Sequence, residues 1–200
     1  MQIQILVYDG FDELDALGPF EVLQVATAAG ADLRTGLVRL GSATVTSAHG
    51  LQLHVPTHLD LDSPPELLLL PGGGWLSRAA EGSWAEVQRG RIAAAVATLH
   101  GAGTTMAAVC TGAMFLAACG LLRGRSAITH HAAIEELQAA GAEIVRARVV
   151  DDGDIITSGG VTSGLDLALW LVERYAGPAL AHTVEQRLEH ERRGTVWRRS

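Results

Sequence analysis

The sequence has no lysine and no asparagine; all 15 of its basic residues are arginine. Without lysine there is no Schiff-base or pyridoxal chemistry and no P-loop amine, and without asparagine no catalytic site that depends on its amide. Cysteine is nearly absent too, with only Cys110 and Cys119. That excludes a disulfide framework. With no secretory signal ahead of the first strand-like segment, it points to a reducing cytoplasm. Positive charge is in deficit, 15 basic against 22 acidic residues for a formal net charge of −7. A nucleic-acid binder shows the opposite footprint, so direct nucleic-acid binding is not expected. What is present is a globular balance, 48% hydrophobic and 18% charged over 200 residues. This is one ordinary domain with a sizeable core rather than a disordered chain.

Gly101 to Leu122 carries no charged residue, a length that matches a membrane span. Gly101, Gly103, Gly112 and Gly120 punctuate the run and Thr104, Thr105 and Thr111 interrupt its apolarity. A buried strand, a sharp turn and a buried helix produce the same pattern, and no membrane partner is expected.

Gln2 to Tyr8 alternates and then becomes continuously apolar, as a central strand does. Asp9-Gly10-Phe11-Asp12 is turn chemistry, with Asp12 as the cap of a helix to about Ala29 that Gly18-Pro19 makes irregular at its start or kinked. Asp32 to Leu40 reads as a strand and Ala43 to His58 as a hairpin outside the main sheet. Glu66 to Leu70 is a strand feeding the glycine loop Pro71 to Gly74. Trp84 to Leu99 is expected as a helix, Thr104 to Val109 as a buried strand and Thr111 to Ala118 as a helix. Then come a short strand at Ser126 to Thr129, a helix at Ala132 to Ala140 and a strand at Ile144 to Val150. After the turn at Asp151 to Asp154 comes Ile155 to Thr157, and after Gly159-Gly160 a long helix from Val161 to Tyr175. Gly177-Pro178 opens a last helix ending near Glu189.

Strands alternating with helices predict an α/β three-layer sandwich, a mainly parallel sheet with helices on both faces. Residues 1–190 are expected to form a single domain. The short Arg-rich tail 191–200 is expected to be a solvated or subunit-facing end.

In open α/β sheets chemistry collects beyond the carboxyl ends of the strands. Three such ends here carry unusual residues: Asp12 to Gly18, Pro71 to Gly74, and Ala108-Val109-Cys110-Thr111-Gly112. Small residues flanking Cys110 suit a tight strand-to-helix turn that presents a nucleophile. A helix N-terminus at that place would favour the thiolate. The alternative, an inert buried thiol, weighs about equally on spacing alone.

Leu69-Leu70-Pro71-Gly72-Gly73, Ala108 to Gly112 and Thr157-Ser158-Gly159-Gly160-Val161-Thr162-Ser163-Gly164-Leu165-Asp166 together resemble the ThiJ/PfpI superfamily. Its fold is flavodoxin-like, of the class I glutamine-amidotransferase type. Phe11-Asp12-Glu13-Leu14-Asp15-Ala16-Leu17-Gly18-Pro19 is similar to the branch containing isonitrile hydratase and the N-terminal domains of some AraC-type regulators. The resemblance runs from the first strand to about His190. It implies Cys110 as nucleophile and Asp15 as the acidic residue meeting that thiol, a position where relatives acting on glyoxals carry Glu. It implies Thr111 after the nucleophile, where protease-like members carry His. It also implies Gly73 with its backbone N–H toward the thiolate or a developing anion, and His130 near the cysteine.

The activity implied is a cofactor-free, metal-free conversion of an isonitrile to an N-substituted formamide through a Cys thioimidate, on a small-molecule substrate and in a homodimer. The alternatives are glyoxalase or deglycase action on small dicarbonyls, and a thiol sensor or regulatory domain without turnover.

Other residues have plainer readings. His130 and His131 are adjacent and are expected to point apart. His54 and His58 are separated by Pro56, which forbids the helix that would align them on a metal. Asp166, Thr162 and Ser163 are explained by capping of the long helix. Cys119 lies nine residues beyond Cys110, roughly 13 Å along a helix, too far for a disulfide.

Overall fold

A computed structural model of the chain describes residues 1–199. The first strand, β1 (Gln2–Leu6), leads through a turn to α1 (Glu13–Ala28), capped by Asp12, whose carboxylate accepts the Leu14 N–H at 3.1 Å. Pro19 stands inside α1 without breaking it; its missing N–H is one the Asp15 carbonyl would otherwise accept. β2 (Arg34–Val38) follows, then the antiparallel pair β3 (Thr44–Thr46) and β4 (Gln52–His54), which forms its own two-stranded sheet as the alternation predicts. β5 (Leu67–Leu70) is fully buried along its length.

The helix expected over Trp84 to Leu99 is two helices, α2 (Ser83–Arg89) and α3 (Arg91–Gly101), because Gly90 takes a left-handed φ of 76° between them. β6 (Thr105–Ala108) ends at a single 3₁₀ turn, Cys110–Gly112, that runs directly into α4 (Ala113–Ala118). The uncharged run is therefore strand, turn and helix. Met106 to Val109 and Ala113, Phe115 and Leu116 have no exposed surface, and among the described residues no helix is long and apolar enough to cross a membrane.

β7 (Ser126–Ala127) precedes a 3₁₀ turn at His131–Ala133 and α5 (Ile134–Ala139). The single strand expected at Ile144 to Val150 divides. β8 (Glu143–Ile144) pairs with β7 in a small parallel sheet, whereas β9 (Val149–Asp151) joins the main one. The chain then forms β10 (Ile155–Ser158), α6 (Ser163–Ala176), α7 (Pro178–Leu188) and β11 (Trp197–Arg198).

The seven-stranded sheet has the order β11-β9-β10-β6-β5-β1-β2, with β9 antiparallel to β10 and every other pairing parallel. Strands 2-1-5-6-10 reproduce the flavodoxin-like order, whose direction of winding reverses beside β1. The tail, expected as a solvated or subunit-facing end, is largely exposed and adds a short strand to the sheet. β11 pairs parallel with β9, Trp197 opposite Val150, and Arg192 reaches Glu173 at 2.6 Å. An edge that would otherwise be open is thereby covered.

Candidate active site

The carboxyl ends of β1, β5 and β6 lie side by side in the sheet, so the segments that follow them converge. Cys110 follows β6 in the left-handed region, with φ of 57°. For a residue with a Cβ that conformation costs on the order of 1 kcal/mol. It is held from both sides: the Cys110 N–H donates to the Gly159 carbonyl at 3.0 Å, and the Thr129 hydroxyl donates to the Cys110 carbonyl at 2.7 Å. The strain turns the thiol away from β6 toward α1 and the glycine loop.

Asp15, fully buried in the first turn of α1, is the carboxylate it meets. Asp15 Oδ2 accepts the Gly72 N–H at 3.0 Å, while Oδ1 has no partner of good geometry within the chain and is left for the thiol. Gly72 is required by proximity: a Cβ there would lie 2.5 Å from Thr111 Oγ1 and 3.0 Å from Asp15 Oδ2.

Burial is the largest influence on both acids and raises both pKa values, since a charge in this apolar setting loses its hydration. Burial, with the Asp12 charge nearby, pushes Asp15 up to about 7 against the opposing Gly72 N–H. Burial and the facing Asp15 carboxylate push the Cys110 thiol up to about 12. The backbone N–H groups of Thr111 and Val161 face the sulfur and oppose this without prevailing. The expected thiolate at a helix N-terminus is therefore corrected. The turn is one 3₁₀ unit in a dry site, and its dipole is outweighed by desolvation and a like charge. The facing pair therefore gives up its first proton from Asp15 near neutrality and keeps the second on sulfur above it.

Two sequence expectations change role. Gly73 donates its N–H to Thr111 Oγ1 at 3.2 Å instead of presenting it to sulfur. The Thr111 hydroxyl, expected among the catalytic groups, closes a ring. Thr111 donates to Ser83 Oγ at 3.0 Å and Ser83 donates to the Gly73 carbonyl at 2.8 Å. That ring locks the glycine loop onto the elbow, and only the Thr111 backbone N–H faces the thiol.

His130 packs against Gly160, where a Cβ would strike the imidazole, and so stands behind the turn that aims the Val161 N–H. Its ring and that of His131 lie together, with centroids 4.2 Å apart and planes at 35°, not apart as adjacency suggests. His54 and His58 stay with the hairpin region, and Asp166 is held by Arg148 at 2.5 Å and His190 at 3.2 Å. Both cysteines are free, and Cys119, the residue that ends α4, donates its S–H back to the Phe115 carbonyl at 3.2 Å. No group of three or more His, Cys, Asp and Glu suited to a metal occurs among the described residues.

Three contributors had no sequence signal that names them. Tyr8, two residues beyond β1, donates its buried hydroxyl to the Pro71 carbonyl at 2.6 Å. Its pKa is raised by burial and by the charges of Asp15 and Cys110, so it stays a donor. Ser83 completes the ring, and Val161, with φ of 50°, supplies an N–H that a β-branched residue does not advertise.

Comparison with known proteins agrees with this architecture. The family model described as the DJ-1/PfpI family matches residues 1–174. Isonitrile hydratase of Pseudomonas putida is 35% identical over 192 residues, covering 95% of this chain and 78% of the relative. A deglycase of Pyrococcus horikoshii is 28% identical, covering 86% of this chain and 96% of the relative. The crystal structure of a ThiJ/PfpI family protein from Pseudomonas syringae superposes with a TM-score of 0.81 at 28% identity, over 96% of this chain and 76% of that one.

Proposed function

The chain belongs to the DJ-1/PfpI family, and from that premise we propose that it hydrates isonitriles to N-substituted formamides with Cys110 as nucleophile and Asp15 as acid and base. One observation carries the reading: a fully buried carboxyl set against a strained-elbow thiol, with its Oδ1 unpartnered by hydrogen bonds within the chain. The 35% identity to an isonitrile hydratase supports it.

The chemistry follows from the proton that the pair keeps. Cys110 Sγ forms a bond to the terminal isonitrile carbon while the proton held between thiol and Asp15 passes to that same carbon, giving the neutral thioimidate Cys–S–CH=N–R and ionised Asp15. Asp15 then takes a proton from water as the hydroxyl adds to the carbon, and delivers it to nitrogen. The C–S bond breaks, and the hydroxyl proton returns to the pair as the N-substituted formamide departs. One water is consumed and no redox step or cofactor enters. A pKa near neutrality suits a group that both gives and takes the proton, and such help is worth roughly 10²–10⁴ in rate. The Thr111 and Val161 N–H groups stabilise sulfur when it leaves as thiolate.

Production of N-cyclohexylformamide from cyclohexyl isocyanide tests the reading. Lack of product with the wild-type protein, or undiminished product with Cys110→Ala or Asp15→Asn, would sink it. The deglycase relative favours a second reading, action on small dicarbonyls, for which methylglyoxal turnover to lactate is the positive result. A third, a thiol sensor, requires oxidation of Cys110 by peroxide with turnover of neither substrate. The same proposal takes the protein as a cytoplasmic homodimer, which a sizing measurement and localisation check.

A further inference from the structure

The hairpin β3–β4 stands outside the main sheet, yet its tip is fastened to the segment that carries the chain from β1 into α1. The Gly10 N–H donates to the Thr46 carbonyl at 2.8 Å, the Ala48 N–H to the Phe11 carbonyl at 2.8 Å, and the Thr46 N–H to Asp9 Oδ1 at 2.8 Å. Three further links converge on one carboxylate. Glu13 Oε1 accepts the Ser47 hydroxyl and, at 3.0 Å, the His49 N–H, while Oε2 meets His49 Nδ1 at 2.5 Å.

The other side of the same segment is pressed against the glycine loop. The Asp12 N–H donates to the Gly72 carbonyl at 2.8 Å, and a Cβ on Gly73 would lie 2.4 Å from the Gly10 carbonyl oxygen and 2.5 Å from the Asp12 nitrogen. The segment is held between hairpin and loop, and the residue that gathers the hairpin's donors is the first of α1, two before Asp15. Helix residues two apart do not share a face, so Glu13 grips the hairpin while Asp15 turns inward to Cys110. Partial burial alone would raise the Glu13 pKa, but the Ser47 and His49 donors outweigh it and bring it down to about 2. The carboxylate therefore stays ionised, and the grip intact, across the range in which Asp15 titrates.

We propose that Glu13 is a positioning residue for the reaction: by drawing the hairpin tip onto the first turn of α1 it sets how closely the Asp15 carboxyl approaches the Cys110 sulfur. The proposal rests on the reading of Cys110 and Asp15 as the reacting pair, and adds to it a residue that acts through Asp15. The Gly72 N–H fixes the direction of the Asp15 carboxyl; the clasp at Glu13 fixes the helix end from which that carboxyl projects. Such placement matters because a displacement of about 1 Å between reacting groups can cost on the order of a hundredfold in rate.

The test uses a Cys119→Ser background and two readouts, turnover of cyclohexyl isocyanide and alkylation of Cys110 by iodoacetamide at pH 7. Glu13→Ala is expected to lower kcat at least about tenfold with KM within about twofold of its starting value. It is also expected to speed alkylation at least about threefold, as the facing carboxylate draws back from sulfur. Glu13→Gln still accepts the Ser47 and His49 donors and is expected to stay within about twofold on both readouts. Asp9→Ala cuts a link of the same hairpin that does not reach α1, and is expected to leave both unchanged. Should Glu13→Ala not fold, Ser47→Ala, which removes one donor from the clasp, is expected to move both readouts in the same directions. Unchanged kcat and alkylation in Glu13→Ala overturn the proposal, as does an equal effect in Asp9→Ala, which would reduce the clasp to hairpin stability. If the unsubstituted site converts no isocyanide, the hydratase reading fails and alkylation decides alone. No acceleration in Glu13→Ala, or equal acceleration in Asp9→Ala, then overturns the positioning role.

Discussion

Asp15 Oδ2 accepts the backbone N–H of Gly72 at 3.0 Å, so the carboxylate that meets Cys110 is fixed by a loop 57 residues further along the chain. One oxygen is anchored and the other is left to the thiol. The division explains how a carboxyl with no exposed surface is kept pointing at sulfur.

That carboxyl makes stability depend on pH. Burial raises the folded-state pKa of Asp15 to about 7, while in the unfolded chain it is about 3.9. Between those values the folded state binds more protons than the unfolded one. Stability is therefore fully present at the acid end and falls as pH rises through the window, by on the order of 4 kcal/mol in all. Asp15→Asn removes the titration. Urea unfolding at pH 5 and pH 8 is expected to show the wild type losing about 2–3 kcal/mol more than the variant over that interval. Parallel losses in the two proteins would contradict the buried-acid assignment.

The thiol is the other half of the pair. With Cys110 pushed up to about 12 by burial and the facing Asp15, almost none is thiolate at pH 7. In a Cys119→Ser background, alkylation by iodoacetamide at pH 7 is expected to run at least about a hundredfold slower than for an ordinary cysteine of pKa about 8.5. Asp15→Asn is expected to speed it about tenfold or more by removing the like charge. Rapid labelling of the wild-type protein at neutral pH would show instead that the turn's N–H groups win.

Much of this arrangement was legible before any coordinates, and the parts that were not share a cause. Cys110, Asp15 and the Pro71 to Gly74 loop stand at strand ends, and strand ends are readable from where apolar runs stop. The sign of the thiol's shift was not readable, because it depends on how dry the site is and on which charge faces it. Thr111 and Gly73 were placed correctly in the chain and given the wrong partners, because the ring they share is closed by Ser83, 28 residues before Thr111. Val161 contributes a backbone N–H at positive φ, and no side-chain pattern encodes that. The helix expected over Trp84 to Leu99 is broken at Gly90, whose left-handed φ of 76° no apolar periodicity reports. β11 was missed because two residues of a charged tail carry no strand signal until β9 offers an edge.

The elbow itself can be tested by its backbone. In most positions alanine stabilises relative to glycine, but Cys110 has φ of 57°, where a Cβ is penalised. Cys110→Gly is therefore expected to be more stable than Cys110→Ala by about 1 kcal/mol in urea unfolding, with both inactive. The ordinary order, Ala above Gly, would mean that the elbow is not left-handed in solution. Gly112→Ala supplies the contrasting case. Its Cβ would press into the Leu70 carbonyl oxygen, and a loss of about 3 kcal/mol or failure to fold is expected.

The tail offers the last test, because its contribution is to an edge and not to the site. β11 pairs with β9, Arg199 reaches the buried Asp152 at 3.3 Å, Arg192 joins Glu173 at 2.6 Å, and the Arg198 guanidinium lies 5.5 Å from the Trp170 ring. The ion pairs are half-exposed and individually small. The larger effect is removal of a strand that covers the unpaired side of β9 and of Val196, which packs against the core. Deleting residues 191–200 is expected to cost about 2–3 kcal/mol in urea unfolding and to raise light scattering at elevated protein concentration, as an uncovered edge recruits other chains. Arg192→Ala is expected to change stability by less than about 1 kcal/mol and scattering not at all, which separates strand pairing from charge. Superimposable unfolding curves for the full-length and shortened proteins would show that β11 does not hold the edge in solution.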